Sequence, residues 1–200
     1  MIVLALESAA LVGGVAILQD DKVVAESVLD ISVTYSEKLL PAVAAICKQN
    51  KILLKEFGLI AADIGPGSFT GLRIGIATAE GLGQALGIPL VGVISLEAMA
   101  VGADGVTEGL VSPCLDARRG EIYTALYEKS SAGLKMIEPP QAVDPESWRR
   151  QMKRHGKNVK IIGPDVFPRP GIIGRLGIKN YLANQSGTAE LNPLYLRRPV

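Results

Sequence analysis

Few side chains in this sequence can move protons, hold metals or attack a carbonyl carbon. The single histidine, His155, lies in the basic stretch Lys153-Arg154-His155-Gly156. It reads as a surface residue rather than a general base. One histidine and two distant cysteines, Cys47 and Cys114, supply neither an HExxH pair nor a Cys/His zinc set. A Ser-His-Asp triad would have to recruit His155, and no GxSxG turn accompanies it. The carboxylates offer more. Glu7 closes the first apolar run, and Asp116 stands in Leu115-Asp116-Ala117-Arg118-Arg119. Both fall at predicted strand ends, where open α/β sheets gather their sites. Each also has a plain structural use: Glu7 accepting backbone N–H groups in a turn, Asp116 pairing with Arg118 or Arg119.

The segment Gly65-Pro66-Gly67-Ser68-Phe69-Thr70-Gly71 is a glycine-rich loop between an apolar run and a helical pattern. That context can bind phosphate, because free N–H groups at a helix start attract anions. The loop lacks the Gly-Lys-Ser/Thr ending of a Walker A motif, and Thr70 stands where the dinucleotide fingerprint needs its third glycine. Asp63 precedes the loop instead of following a second strand. On local spacing alone, a tight packing turn is the favoured reading over phosphate binding. The following helix places Gly71, Gly75, Ala79, Gly83 and Gly87 on one narrow stripe, widened by Gly81 and Ala85. Each mid-helix glycine costs about 1 kcal/mol relative to alanine. The stripe therefore calls for a close neighbour, either within the domain or on another subunit. Leu72, Ile76, Leu82 and Leu86 lie on the other side, suited to packing on a sheet.

These residues need elements to position them. Apolar runs predict strands over 2–7, 12–18 and 22–29, the last two joined by the polar turn Gln19-Asp20-Asp21. Thr34-Tyr35-Ser36-Glu37 has capping-box spacing, with Ser36 a competing cap, and opens a helix over 36–50. Pro41 requires that helix to start late or bend. Strands follow over 59–64 and 90–93, with helices over 72–86 and 96–101. Residues 103–109 form a linker, which divides the chain into an N-terminal half, 1–103, and a smaller C-terminal half, 110–200, whose last segment can return to the first half. Strands over 110–115, 121–127, 134–137 and 159–162 and a polar helix over 145–155 make up the second half. The Pro- and Gly-rich tail carries no assignment.

Composition bounds the function. The 200 residues are 48% hydrophobic but only 4% aromatic, with a formal net charge of +1. That is enough for an aliphatic core and excludes disorder. It also excludes a bulk basic field for nucleic acid. Arg149, Arg150, Lys153, Arg154, Lys157 and Lys160, with Arg197-Arg198, could touch a phosphate backbone, though a solvated helix face accounts for them as well. The N-terminus lacks a basic n-region, and 88–103 is too short and too interrupted to span a bilayer. A cytoplasmic protein with reduced thiols and no membrane partner is expected.

The segment from Gly65 to Gly75, with Leu72-Arg73-Ile74-Gly75 closing it, resembles the signature of the bacterial TsaB family, also called YeaZ. Ile2 to Ser8, Asp116 to Tyr123 and Pro193-Leu194-Tyr195-Leu196-Arg197 agree in order, so the resemblance spans nearly the whole chain. It implies an α/β actin-like ATPase (ASKHA) fold: two ribonuclease-H-like halves with mixed sheets flanked by helices. It implies a role in tRNA modification, the making of threonylcarbamoyladenosine next to the anticodon. In that family the chain is not the enzyme. It pairs with a catalytic TsaD-like paralogue, which transfers the threonylcarbamoyl group, while a TsaE-like ATPase joins and tRNA is met indirectly. The paralogue's two metal-binding histidines correspond here to Ser95 and Met99, which cannot make a hard metal site. The first strand ends Glu7-Ser8 where the family has Asp-Thr/Ser, and the first long helix opens with Tyr35 where His is common. The resemblance also makes the chain short at its C-terminus, with trimmed last helices.

The resemblance implies a partner interface over Leu39, Val43, Gly71, Gly75, Thr78, Ala79 and Gly83, used for a homodimer when the chain is alone. It makes Glu7, Ser8, Gly65, Gly67, Ser68, Asp116, Arg118 and Arg119 a vestigial phosphate-proximal set, with no catalytic residue and no metal. No tightly bound cofactor is expected, with ATP or ADP confined to the complex interface. Three rival readings stand beside it: an ATPase or phosphotransferase using Glu7, Gly67 and Asp116, a metallopeptidase, and a stand-alone homodimeric binding module.

Overall fold

The computed structural model describes residues 1–30, 35–155 and 158–197. The first sheet contains β1 (Ile2–Glu7), β2 (Val12–Gln19), β3 (Lys22–Asp30), β4 (Phe57–Gly65) and β5 (Leu90–Ile94). Their order is β3-β2-β1-β4-β5, with β1 antiparallel to β2 and parallel to β4. The continuous apolar run of β1 suits a central strand buried on both faces. Leu4 and Leu6 point to one face, Val3 and Ala5 to the other.

The second sheet contains β6 (Gly109–Asp116), β7 (Ile122–Ser130), β8 (Gly133–Val143) and β9 (Val159–Ile162), in the order β8-β7-β6-β9. β6 is antiparallel to β7 and parallel to β9, and β7 is antiparallel to β8. The second sheet thus repeats the order and directions of β1 to β4 without repeating their residues. The chain has two ribonuclease-H-like halves of an actin-like ATPase fold.

Helices α1 (Tyr35–Asn50) and α2 (Phe69–Leu86) cover the Leu4 and Leu6 face of the first sheet, through Leu39, Val43, Ile46 and Ile76. Helix α3 (Ser95–Val101) packs between the sheets: Leu96, Met99 and Ala100 join Val111, Ala125 and Tyr127. Helix α4 (Pro145–Arg154) buries Trp148 and Met152 against the second sheet. Helix α5 (Pro170–Asn184) covers the Val3 and Ala5 face of the first sheet. No helix among the described residues is long and apolar enough to cross a membrane.

The structure departs from the sequence-based expectation in several places. α1 runs through Pro41, which is exposed on the solvent side, where the unpaired carbonyl one turn earlier can meet water. Thr34, the expected cap, lies outside the described residues, and Ser36 is already inside the helix. α2 begins at Phe69, because Ser68 is its cap: Ser68 Oγ accepts from Gly71 N at 3.2 Å. β8 is an eleven-residue strand where only 134–137 was expected, since Pro139 and Pro140 sit on the sheet's edge strand. α5 carries no sequence-based expectation because it is glycine-rich. Those glycines let it lie against the sheet: a Cβ at Gly174 would fall 2.1 Å from Leu18 Cδ1, and one at Gly177 2.3 Å from Ala61 Cβ.

Candidate functional site

The loops after β4 and β6 face one another across a cleft between the two halves. It has two adjoining chambers, of about 520 Å³ and 700 Å³, which share Gly67, Phe69, Ala117, Arg118 and Tyr123. The cleft gathers Gly67, Ser68, Asp116, Arg118 and Arg119 from the phosphate-proximal set. Glu7, Ser8 and Gly65 are buried and do not line it.

The β4–α2 loop is occupied by its own chain. Ser68 N donates to Ala9 O at 2.6 Å, Gly71 N to Ser68 Oγ, and Leu72 N to Ser68 O at 2.8 Å. Ser8 Oγ donates to Gly71 O at 2.8 Å. The chain itself therefore takes three of the N–H groups at this turn, those of Ser68, Gly71 and Leu72. Across the cleft, Asp116 Oδ1 accepts from Arg118 N at 2.8 Å and closes its own turn. Arg118 Nε stands 4.0 Å from Asp116 Oδ2. Arg118 and Arg119 adopt φ of 64° and 55°, a left-handed conformation that costs a non-glycine residue roughly 1–2 kcal/mol. Arg197 pairs with Glu121 and donates to Ala117 O, which ties the C-terminal segment to this turn.

Sequence reasoning missed an aromatic clasp at the cleft's edge. The Arg73 guanidinium lies 3.9 Å from the Phe69 ring centroid, Phe69 and Tyr195 rings are 5.1 Å apart, and Arg73 Nε donates to the Tyr195 hydroxyl at 3.3 Å. The long sequence separation of Tyr195 from α2 hid this contact. His155 Nε2 is 3.4 Å from Glu138 Oε1 at the end of α4, away from the cleft. Arg149 pairs with Glu146 and Arg150 with Ser147 Oγ on the same helix. Lys157 and Arg198 of the basic set lie outside the described residues. Cys47 and Cys114 are buried free thiols in different halves, and burial pushes both up from the usual thiol range.

The small-residue stripe faces inward, which corrects its expected use as a partner surface. Leu39 and Val43 are each 1% exposed, and Ala79 is fully buried. Gly71, Gly75 and Gly83 are buried, and only Thr78 of the expected interface is half-exposed. The close neighbour is the chain's own first sheet: Cβ atoms at Gly71 and Gly75 would strike Ser8, and one at Gly83 would strike Leu90. The outward face of α2 carries Arg73, Ala77, Gly81, Gln84 and Ala85. Beside it, α1 exposes Leu40, Pro41, Ala44 and Ala45. A Cβ at Gly81 would meet nothing within 4 Å. Gly81→Ala should therefore raise stability by about 1 kcal/mol, read as a higher urea midpoint at unchanged slope.

Ser95 and Met99 are both committed to the fold. Ser95 is fully buried and its Oγ donates to Asp63 Oδ1 at 2.7 Å. Met99 packs in the cluster between α3 and the second sheet. Among the described residues, no group of three or more His, Cys, Asp or Glu could hold a metal ion.

Over residues 29–182 the sequence matches the family model for TsaD, tRNA N6-adenosine threonylcarbamoyltransferase. It is 32% identical over 194 residues to the tRNA threonylcarbamoyladenosine biosynthesis protein TsaB of Bacillus subtilis, spanning 96% of this chain and 83% of that protein. The Escherichia coli protein of the same name is 34% identical over 153 residues, 72% of this chain and 65% of its own length. The fold superposes on YeaZ from Pseudomonas aeruginosa with a TM-score of 0.83, over 98% of this chain and 99% of that one, at 22% identity.

Proposed function

The chain belongs to the TsaB (YeaZ) family, and on that basis we propose that it serves tRNA threonylcarbamoyladenosine biosynthesis as a non-catalytic subunit that binds and activates a TsaD-like transferase. The observation that carries the binding role is the outward surface of α1 and α2. Leu40 is 53% exposed on α1, which also exposes Ala44 and Ala45, and α2 exposes the small residues Ala77, Gly81 and Ala85. Small residues let a second helix pair come close, and an exposed leucine gives that contact an apolar anchor. The same face would hold a homodimer when the partner is absent.

The non-catalytic half of the proposal rests on what already occupies the site side chains. Ser95 and Met99 support the fold, and the N–H groups of Ser68, Gly71 and Leu72 are paired internally. The arginines of the β6–β7 turn stand where bare backbone would have to cradle a phosphate. In this reading ATP or ADP sits only at the interface of the assembled complex, a TsaE-like ATPase joins that complex, and tRNA reaches this chain through its partner. Arg73, Phe69 and Tyr195 make the cleft edge a fixed wall of that interface.

Threonylcarbamoyladenosine formation on tRNA tests the proposal. Purified TsaD-like transferase, TsaE-like ATPase and threonylcarbamoyl-adenylate synthase would be assayed with and without this chain. Product should depend on the chain, and the chain alone should transfer nothing. Equal product in its absence would overturn the activating role.

A further inference from the structure

Glu7 ends β1 and Asp63 lies two residues before the end of the adjacent parallel strand β4, one step beyond the last registered pair, Leu6 and Ala62. They are 0% and 1% exposed. Each uses one carboxyl oxygen to hold a loop. Glu7 Oε1 accepts from Ala9 N at 2.8 Å and Ala10 N at 3.1 Å. Asp63 Oδ1 accepts from Gly65 N at 2.6 Å and from Ser95 Oγ. The other oxygens, Glu7 Oε2 and Asp63 Oδ2, are fully buried and meet no N–H or O–H donor, while the two carboxyl groups lie within hydrogen-bonding reach of each other. Two dry, facing acceptors without a donor are costly unless one of them is itself the donor.

No charge from the surroundings relieves them. β2 places Gly14 opposite Glu7, and α3 supplies the uncharged Ser95. α1 contributes the Tyr35 hydroxyl, which donates to Ala10 O, and its Glu37 and Lys48 are exposed. On α2, Arg73 lies on Phe69 and Glu80 accepts from Leu191 N. Glu97 of α3 and Lys179 of α5 act on each other. Arg175 of α5 donates to Asp21 O, and Arg169 pairs with Glu26 of β3.

We propose that Glu7 and Asp63 share one proton in the folded protein, Glu7 Oε2–H donating to Asp63 Oδ2, and that this bond is a pH-sensitive lock joining the β1–β2 turn to the loop that starts α2. Burial first, and then the neighbouring Asp63 carboxylate, push Glu7 well above the usual carboxyl range, and burial raises Asp63 too. The unfolded chain gives up the Glu7 proton at lower pH than the folded chain does. Stability from this pair is therefore complete in acid and is lost as pH rises through the folded value.

Thermal unfolding across pH, with Glu7→Gln beside the wild type, tests the lock. The amide side chain of Glu7→Gln would keep the acceptor and donate from its nitrogen, copying the protonated form. Wild-type Tm should fall by up to roughly 3–5 °C per pH unit as pH rises from the usual carboxyl range to the raised folded value of Glu7 and level off above it, while Glu7→Gln holds its Tm. The infrared carbonyl band of a protonated carboxylic acid should be present in the wild type at neutral pH, lost on alkalinisation and missing from Glu7→Gln. Asp63→Asn provides the same comparison should Glu7→Gln not fold. Equal pH slopes in variant and wild type, or no such band, would overturn the proposal. So would a wild-type Tm raised by magnesium or potassium chloride with the band absent, which would put a cation between the oxygens.

Discussion

A Gly71→Ala variant is expected to lose most of its folding stability, although it adds one methyl group to a helix. That methyl carbon would lie 2.0 Å from the Ser8 carbonyl oxygen, which belongs to the backbone leaving β1 and cannot rotate aside. α2 would have to move off the sheet and break the buried bond from Ser8 Oγ to Gly71 O. Overpacking costs about 1–3 kcal/mol, and an orphaned buried hydrogen-bonding group about 1–3 kcal/mol more. The sum approaches the lower end of the roughly 5–15 kcal/mol that holds a domain folded. Gly75→Leu acts through the same neighbour, with Cβ 2.1 Å from Ser8 Oγ and a longer side chain to place. Gly81→Ala makes the same chemical change further along the helix and should stabilise instead. Urea denaturation of the three variants checks the contrast. A Gly71→Ala protein as stable as wild type would show that α2 does not need its close approach to β1.

Charge on the outward face should have the opposite profile, a folded chain that no longer binds. Ala77 and Gly81 are exposed and lie one turn apart on α2. Arginine at both positions has room in the isolated chain, so its Tm should stay near that of wild type. Against a partner helix the two guanidinium groups would fill the space that small residues leave and bring uncompensated charge to the contact. Interface positions of this kind cost about 2–4 kcal/mol when disrupted, roughly a 30- to 1,000-fold loss of affinity. Titration calorimetry with the purified TsaD-like partner measures that loss directly. Threonylcarbamoyladenosine formation should fall with it. Wild-type affinity in the Ala77→Arg, Gly81→Arg double variant would move the interface elsewhere.

Much of this molecule is legible from local pattern. The apolar runs of β1, β4 and β5 and the polar turn between β2 and β3 each declare themselves through a few neighbouring residues. α5 does not, because Pro170, Gly171, Gly174 and Gly177 read as a loop until the sheet beneath them is present. The clasp of Phe69, Arg73 and Tyr195 is equally hidden, since it joins α2 to a segment more than a hundred residues away.

The spacing of Gly71, Gly75, Ala79 and Gly83 establishes from sequence that something must lie very close to α2. It does not identify what that is. A stripe of missing side chains carries no address, and packing against one's own sheet and packing against another subunit demand the same residues. The folded chain places Ser8 and Leu90 in that space and turns Ala77 and Gly81 outward. The same holds for the carboxylates. Residue type marked Glu7 as a candidate for chemistry, but its burial and its pairing with Asp63, far along the chain, are properties of strand pairing. Chain order sets which groups are available. The fold selects which of them face solvent and which face each other, because burial and charge pairing depend on neighbours that chain order does not bring together.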